Sequence, residues 1–187
     1  MSSETAVASG TATPLPTGTW KVDPAHSSVE FQVKHLGIAT VKGVFTDFEG
    51  TLEVGPEGVS AYGSVKVASV DTREPQRDGH LRSPDFFDAD QYPEITFKST
   101  AIRPIDDEDF EIEGDFTVHG ITRPLKLKAT VEGTETDPQG NERVGLSATA
   151  QINRSDHEMK FNMALGSGNV VVSDKVKILL EISAVKA

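Results

Sequence analysis

Between Asp71 and Asp88 the chain reads DTREPQRDGHLRSPDFFD, a stretch where groups able to do chemistry crowd together. It holds Arg73, Arg77 and Arg82, His80, four aspartates, Glu74 and the Phe86–Phe87 pair. The planar arginine fork suits a carboxylate or a phosphate. One reading therefore has Arg73, Arg77 or Arg82 holding an anionic or carbonyl head group while Phe86 and Phe87 close an apolar chamber. The opposing reading pairs the arginines with Asp78, Asp85 and Asp88 and makes the phenylalanines a plug. Asp85 with Asp88 is also a spacing at which two carboxylates act as acid and base, although such residues commonly serve as caps or solvated charges.

Other chemistry is sparse. There is no cysteine, which excludes disulfides, thiolate metal sites and cysteine nucleophiles. The five histidines (His26, His35, His80, His119 and His157) include no pair at metal-ligating spacing. No catalytic residue and no metal ligand set is assigned. Gly166-Ser167-Gly168 resembles half of a serine-hydrolase elbow but precedes a strand instead of opening a helix. Neither glycine-rich phosphate fingerprint is present. Lys plus Arg number 18 against 29 Asp plus Glu, a net charge of -11. That balance argues against sequence-independent binding to nucleic acid or to anionic membranes, while leaving room for a local basic patch.

The elements that must position these groups are strands. Val29, Phe31, Val33 and His35 share one parity against Glu30, Gln32 and Lys34. Residues 40–54 form a longer strand whose parity switches near Asp47–Gly50, which predicts a bulge or bend. Alternation resumes over Val59–Val67, through Ile95 and Phe97, through Phe110, Ile112, Phe116 and Val118, and through Leu125, Leu127, Ala129 and Val131. It returns in Val144, Leu146, Ala148, Ala150 and Ile152, and again from Val176 to Ala184. Asp71 and Glu74 with Pro75 suit the start of a short helix, on which Arg73 and Arg77 would share a face, and Ser83-Pro84 ends it.

About eight strands joined by short turns, without helical crossovers, predict an all-β fold. Closure into an up-and-down barrel is the economical solution, with a two-sheet sandwich as the alternative. An eight-stranded barrel is at the size where side chains either fill the interior or leave room for one ligand. Gly43, Gly63, Gly114, Ala129, Ala148 and Ala150 favour a cavity if they face inward. Residues 1–18, rich in Ser, Thr, Ala and Pro, are expected to be a flexible tail, and 19–187 the barrel domain. The tail lacks the basic start and apolar run of a secretion signal, and no later stretch suits a transmembrane helix. The expectation is a cytoplasmic protein without stable membrane insertion.

Several ordered blocks resemble the YceI-like family of lipocalin-like, polyisoprenoid-binding proteins. They are Val22–Ser27 (VDPAHS), Val33–Gly37 (VKHLG), Arg77–Phe87 (RDGHLRSPDFF), Tyr92–Ser99 (YPEITFKS), Gly114–Pro124 (GDFTVHGITRP) and Ile152–Asp156 (INRSD). The resemblance implies a closed antiparallel barrel with short helical segments near its opening, an isoprenoid or quinone-like lipid inside it, and dimers. It implies no catalytic residue and no further cofactor. Many members carry a secretion signal, which this sequence does not display.

Together these features predict a single eight-stranded antiparallel lipocalin-like barrel that carries, stores or sequesters such a lipid. Phe31, Val33, Phe45, Ile95, Phe97, Phe116, Leu127 and Leu146 are the expected apolar contacts. His35, Arg77, His80 and Arg82 are the head-group candidates, with Leu81, Phe86 and Phe87 at the mouth. The expected partners are a small hydrophobic ligand and a second copy of the chain, not nucleic acid. The alternatives are an enzyme acting on an enclosed hydrophobic substrate through His80 or His35, a haem or metal carrier using a lone histidine, and a filled barrel serving as an interaction module.

Overall fold

The computed structural model describes residues 15–168 and 170–187. The expectation of a tail falls mainly on residues 1–14, outside the described residues. Leu15 packs against the core, and the Pro16 carbonyl accepts a 3.1 Å bond from Trp20 Nε1.

Eleven strands follow in chain order: β1 (Gly18–Val22), β2 (Ser28–His35), β3 (Ala39–Phe45), β4 (Phe48–Gly55), β5 (Gly58–Lys66), β6 (Val70–Asp71), β7 (Glu94–Pro104), β8 (Asp109–Val118), β9 (Ile121–Thr136), β10 (Glu142–Asn153) and β11 (Val172–Lys186). One α-helix, α1 (Pro75–Arg82), lies between β6 and β7. Every ladder is antiparallel, and β1 pairs with both β4 and β11, which closes the ring.

The eleven strands reduce to eight barrel staves. One end of β11 pairs with β1 and the other with β2, so β1 and β2 are two halves of one stave broken at the Pro24–His26 turn. Likewise β3 pairs with β2 and β4 with β1, and that stave breaks at Thr46–Asp47, where the parity switch predicted a bend. The third break, at Val67–Ser69, separates β5 from β6. Neighbouring staves are consecutive in sequence, the up-and-down arrangement, and the sandwich alternative is excluded. Register shifts at Ser99/Ala101 and Gly145/Leu146 supply the extra twist that long staves need to wrap. Between β8 and β9, His119 and Gly120 both have positive φ (58° and 73°), the signature of a two-residue hairpin turn matched to strand twist.

Both ends of the barrel are packed. At one end Trp20 is fully buried, with Val54, Phe110, Val131 and Val144 also in the core. At the other end lie α1 and the segment after it. There Phe45 meets Phe87 edge-on at 5.8 Å, and Met159 and Leu81 join the core cluster.

Arg143 ties the first stave's break to the loop between β9 and β10. Its Nη1 donates to Asp23 Oδ2 at 2.9 Å and to Ser183 Oγ at 3.2 Å, while its Nε donates to Asp137 Oδ2 at 2.8 Å. Asp23 is held at about 2, chiefly by its bonds to His26 and then Arg143; Asp137 is also held at about 2, chiefly by Arg143.

Two predictions follow from this packing. Trp20→Ala is expected to lower stability by about 3–5 kcal/mol, the usual range for emptying a large buried aromatic site, as read by urea denaturation. Because the folded-state pKa values of Asp23 and Asp137 are depressed from 3.8, their contribution is complete above about pH 4 and is lost as pH falls towards 2. The gap in melting temperature between the wild type and Arg143→Met should therefore close over that window. A gap that stays constant down to pH 2 would contradict the assignment.

Candidate functional site

Alternation places one apolar side chain in every two inside the barrel, and the interior so formed is not filled. An apolar cavity of about 260 Å³ remains, lined mostly by hydrophobic side chains from nearly every stave. That exceeds the ~150 Å³ apolar cavity known to take a benzene-sized ligand. Phe31, Phe45, Ile95, Phe97, Phe116, Leu127 and Leu146 all line it. Val33 does not. It keeps the inward parity of β2 but pairs with Val176 and Val41, further along the β2–β3 hairpin. Parity fixes the face of a strand and leaves its height in the barrel open.

The small inward residues act in two ways. Ala129 and Ala148 line the cavity and leave it open. At Gly43 and Gly114, however, an added Cβ would collide with the rings of Phe31 and Phe97. The space freed by those glycines is thus occupied by neighbouring aromatics, which set the cavity's width.

The charged segment around α1 is organised differently from either sequence reading. Glu74, not Asp71, caps the helix, accepting a 2.8 Å bond from the Arg77 amide. Arg73 lies before the helix with φ 69°, so it shares no helical face with Arg77. Arg77 donates to the Thr72 hydroxyl and carbonyl (2.8 and 2.9 Å), and Arg82 donates to the Ala68 carbonyl at 3.2 Å. Asp78, buried, accepts from the amide and hydroxyl of Thr72. The arginines therefore do not pair with Asp78, Asp85 or Asp88 among the described residues; it is His80 that pairs with Asp85, at 2.9 Å.

None of His35, Arg77, His80 and Arg82 lines the cavity, and neither do Leu81, Phe86 and Phe87. His35 is exposed at the end of β2. Phe86 is buried in an aromatic group with His80 and Phe161, ring centroids 5.0–5.3 Å apart. Phe87 reaches inward to Phe45, which itself sits 5.6 Å from Phe31. The segment is a cap whose aromatic residues abut the cavity-lining rings.

Two buried polar residues secure this end, and alternation had no means of finding them because they lie on an irregular turn. Arg154 spends Nε, Nη1 and Nη2 on the carbonyls of Ser173, Met159 and Val172 (2.9, 2.7 and 3.1 Å) and lies 5.8 Å from the Phe86 ring. His157 Nδ1 bonds the Ile121 carbonyl at 3.0 Å, and burial pushes its pKa below the ordinary histidine value. Among the described residues no group of three or more His, Cys, Asp or Glu side chains is placed to hold a metal ion.

Polar groups cluster beside the cavity on the wall formed by β1, β4, β5 and β7. A cleft of about 430 Å³ shares Val22, Glu49, Gly50, Thr51, Tyr62, Gly63, Ser64, Thr96 and Phe97 with the cavity lining and adds Lys21. Lys21 Nζ donates to Thr51 Oγ1 at 3.1 Å and forms no ion pair among the described residues. The cleft lies where the first two staves break and β1 separates from β2. No helix among the described residues is long and apolar enough to cross a membrane.

Similarity to known proteins covers most of the chain. The YceI-like domain model matches residues 20–184. Protein YceI of Escherichia coli is 36% identical over 156 residues, 81% of each chain. A UPF0312 protein of Pseudomonas putida is 36% identical over 146 residues, 75% of this chain and 76% of that one. Among solved structures, the Campylobacter jejuni YCEI protein superposes with a TM-score of 0.70 at 31% identity, covering 82% of this chain and 90% of that one. Burkholderia cenocepacia BcnA gives 0.73 at 24% identity over 87% and 98%. A polyisoprenoid binding domain from Saccharophagus degradans gives 0.70 at 13% over 92% and 100%; these last two share the fold. With the family model matched over residues 20–184 and relatives 36% identical over most of both chains, the chain belongs to the YceI-like family.

Proposed function

We propose that this protein carries, stores or sequesters an isoprenoid or quinone-like lipid, with the apolar chain inside the barrel. The observation that carries this reading is the unfilled apolar cavity in a barrel packed at both ends. Burial of apolar surface contributes on the order of 25 cal/mol per Å², so a slender hydrocarbon chain binds there without polar specificity along its length. Phe31, Phe45, Ile95, Phe97, Phe116, Leu127 and Leu146 are the proposed chain contacts. The polyisoprenoid binding described for the Saccharophagus degradans domain is consistent with this ligand class.

The head group is proposed to sit in the Lys21 cleft, in place of His35, Arg77, His80 and Arg82. Lys21 offers an ammonium group that forms no ion pair among the described residues, Thr51, Tyr62, Ser64 and Thr96 add neutral hydrogen-bonding groups, and Glu49 is the one carboxylate in the lining. An enclosed-substrate enzyme gains no support from His80 or His35, since neither reaches the cavity. A second copy of the chain is the proposed protein partner.

Ala148→Phe projects a ring into the cavity, at an overpacking cost of about 1–3 kcal/mol. Mass spectrometry of an organic extract is expected to show an isoprenoid lipid from the wild type and little from this variant, with circular dichroism unchanged. Absence of lipid from the wild type, together with no uptake of added quinone or polyprenyl phosphate, would sink the proposal. Lys21→Ala is expected to weaken polyprenyl phosphate binding about tenfold or more, the worth of one charge-assisted hydrogen bond, with quinone binding little changed. Equal losses for both ligands would count against the cleft.

A further inference from the structure

Three of the five large hydrophobic side chains exposed among the described residues gather at one place. Ile38 is 81% exposed, Met163 60% and Val170 38%. Ile38 stands at the tip of the β2–β3 hairpin, and Met163 and Val170 belong to the loop between the Arg154–His157 turn and β11. The two segments are joined: Leu36 N donates to the Val171 carbonyl at 2.9 Å, and Val171 N donates to the Met163 carbonyl at 3.1 Å. Ala164 and Val170 form an antiparallel bridge that holds the loop as a small finger beside the hairpin.

Charge around this tip runs opposite to that of the molecule. The whole chain carries -11. Residues 34–42 contain Lys34 and Lys42 and no acid, while residues 158–177 contain Lys160, Lys175 and Lys177 against Glu158 and Asp174. The two segments together carry a net +3 by this count. Lys42 and Lys177 both stand opposite Gln32, on the outward parity that Lys34 continues one row nearer the tip. Lys34, Lys42, Lys175 and Lys177 form no ion pair among the described residues, whereas Lys160 pairs with Glu158. Asp174 is engaged by the amide and hydroxyl of Ser155, and Glu30 by Gln32. Glu30 stands one row further from the tip than Lys42 and Lys177, and fields from acids beyond a Debye length of about 8 Å at physiological salt fade.

We propose that this tip docks the protein reversibly on an anionic lipid bilayer, with Ile38, Met163 and Val170 entering the interface and the lysines facing the head groups. Apolar side chains ringed by lysine match that surface, where each lysine is worth about fivefold in partitioning. The loop places the docked surface beside the cap, because Phe161 packs against both His80 and Phe86. Docking goes beyond the lipid-carrier reading and does not depend on what fills the barrel.

Co-sedimentation of the full chain with phosphatidylcholine vesicles, with and without phosphatidylglycerol, tests it. Binding is expected only with phosphatidylglycerol, and added salt should weaken it. Lys42→Ala with Lys177→Ala should reduce partitioning about thirtyfold, and Ile38→Ser should reduce it further without changing lipid content in the extract. No binding to the anionic vesicles overturns the proposal, as does binding that these substitutions leave unchanged. Sedimentation velocity separates a second copy as the occupant: a dimer dissociated by Ile38→Ser, without vesicle binding, overturns it as well.

Discussion

The structure depends on ring closure under a fixed parity. Each stave offers one apolar face, and an antiparallel sheet of eight such staves hides that face only by pairing its first strand with its last, which β1 and β11 do. Closure fixes the diameter, and at eight staves the diameter sits at the boundary between a filled interior and an open one. The side chains of this protein fall on the open side. Ala129 and Ala148 leave volume, while Gly43 and Gly114 yield theirs to Phe31 and Phe97. The cavity is thus narrowed by aromatics without being closed.

The first three staves are each broken, at the Pro24–His26 turn, at Thr46–Asp47 and at Val67–Ser69, and the strand halves on either side take different pairing partners. Where the first two staves break, the wall loses ladder bonds, and the Lys21 cleft sits against the cavity there. The Asp23–Arg143–Asp137 bridge holds that region to the loop between β9 and β10. At the cap, charged side chains spend their hydrogen bonds on backbone carbonyls and on Thr72, an arrangement that fixes a short segment over the core.

Much of this was legible in the sequence, and the limits are physical. Period-two alternation marked the inward faces, including Phe31, Phe97 and Leu127, and the parity switch near Asp47 located a break. Alternation says nothing about height, which is why Val33 shares a face with Phe31 but not its cavity. Partner choice was also hidden. Arg77 and Arg82 lie among aspartates in sequence, yet they bond Thr72 and the Ala68 carbonyl, because three-dimensional proximity follows the turn of the chain and not its charge pattern. Arg154 and His157 sit on an irregular turn with no period to reveal their burial, and Lys21 gave no motif at all.

An isoprenoid chain seated in the barrel interior is tested most directly by nuclear Overhauser contacts between a farnesyl probe and isotope-labelled methyl groups of the protein. Contacts to Ile95, Leu127 and Leu146, which line the cavity, are expected. Contacts confined to surface methyls such as Ile38 or Ile105, or no contacts at all, would contradict it.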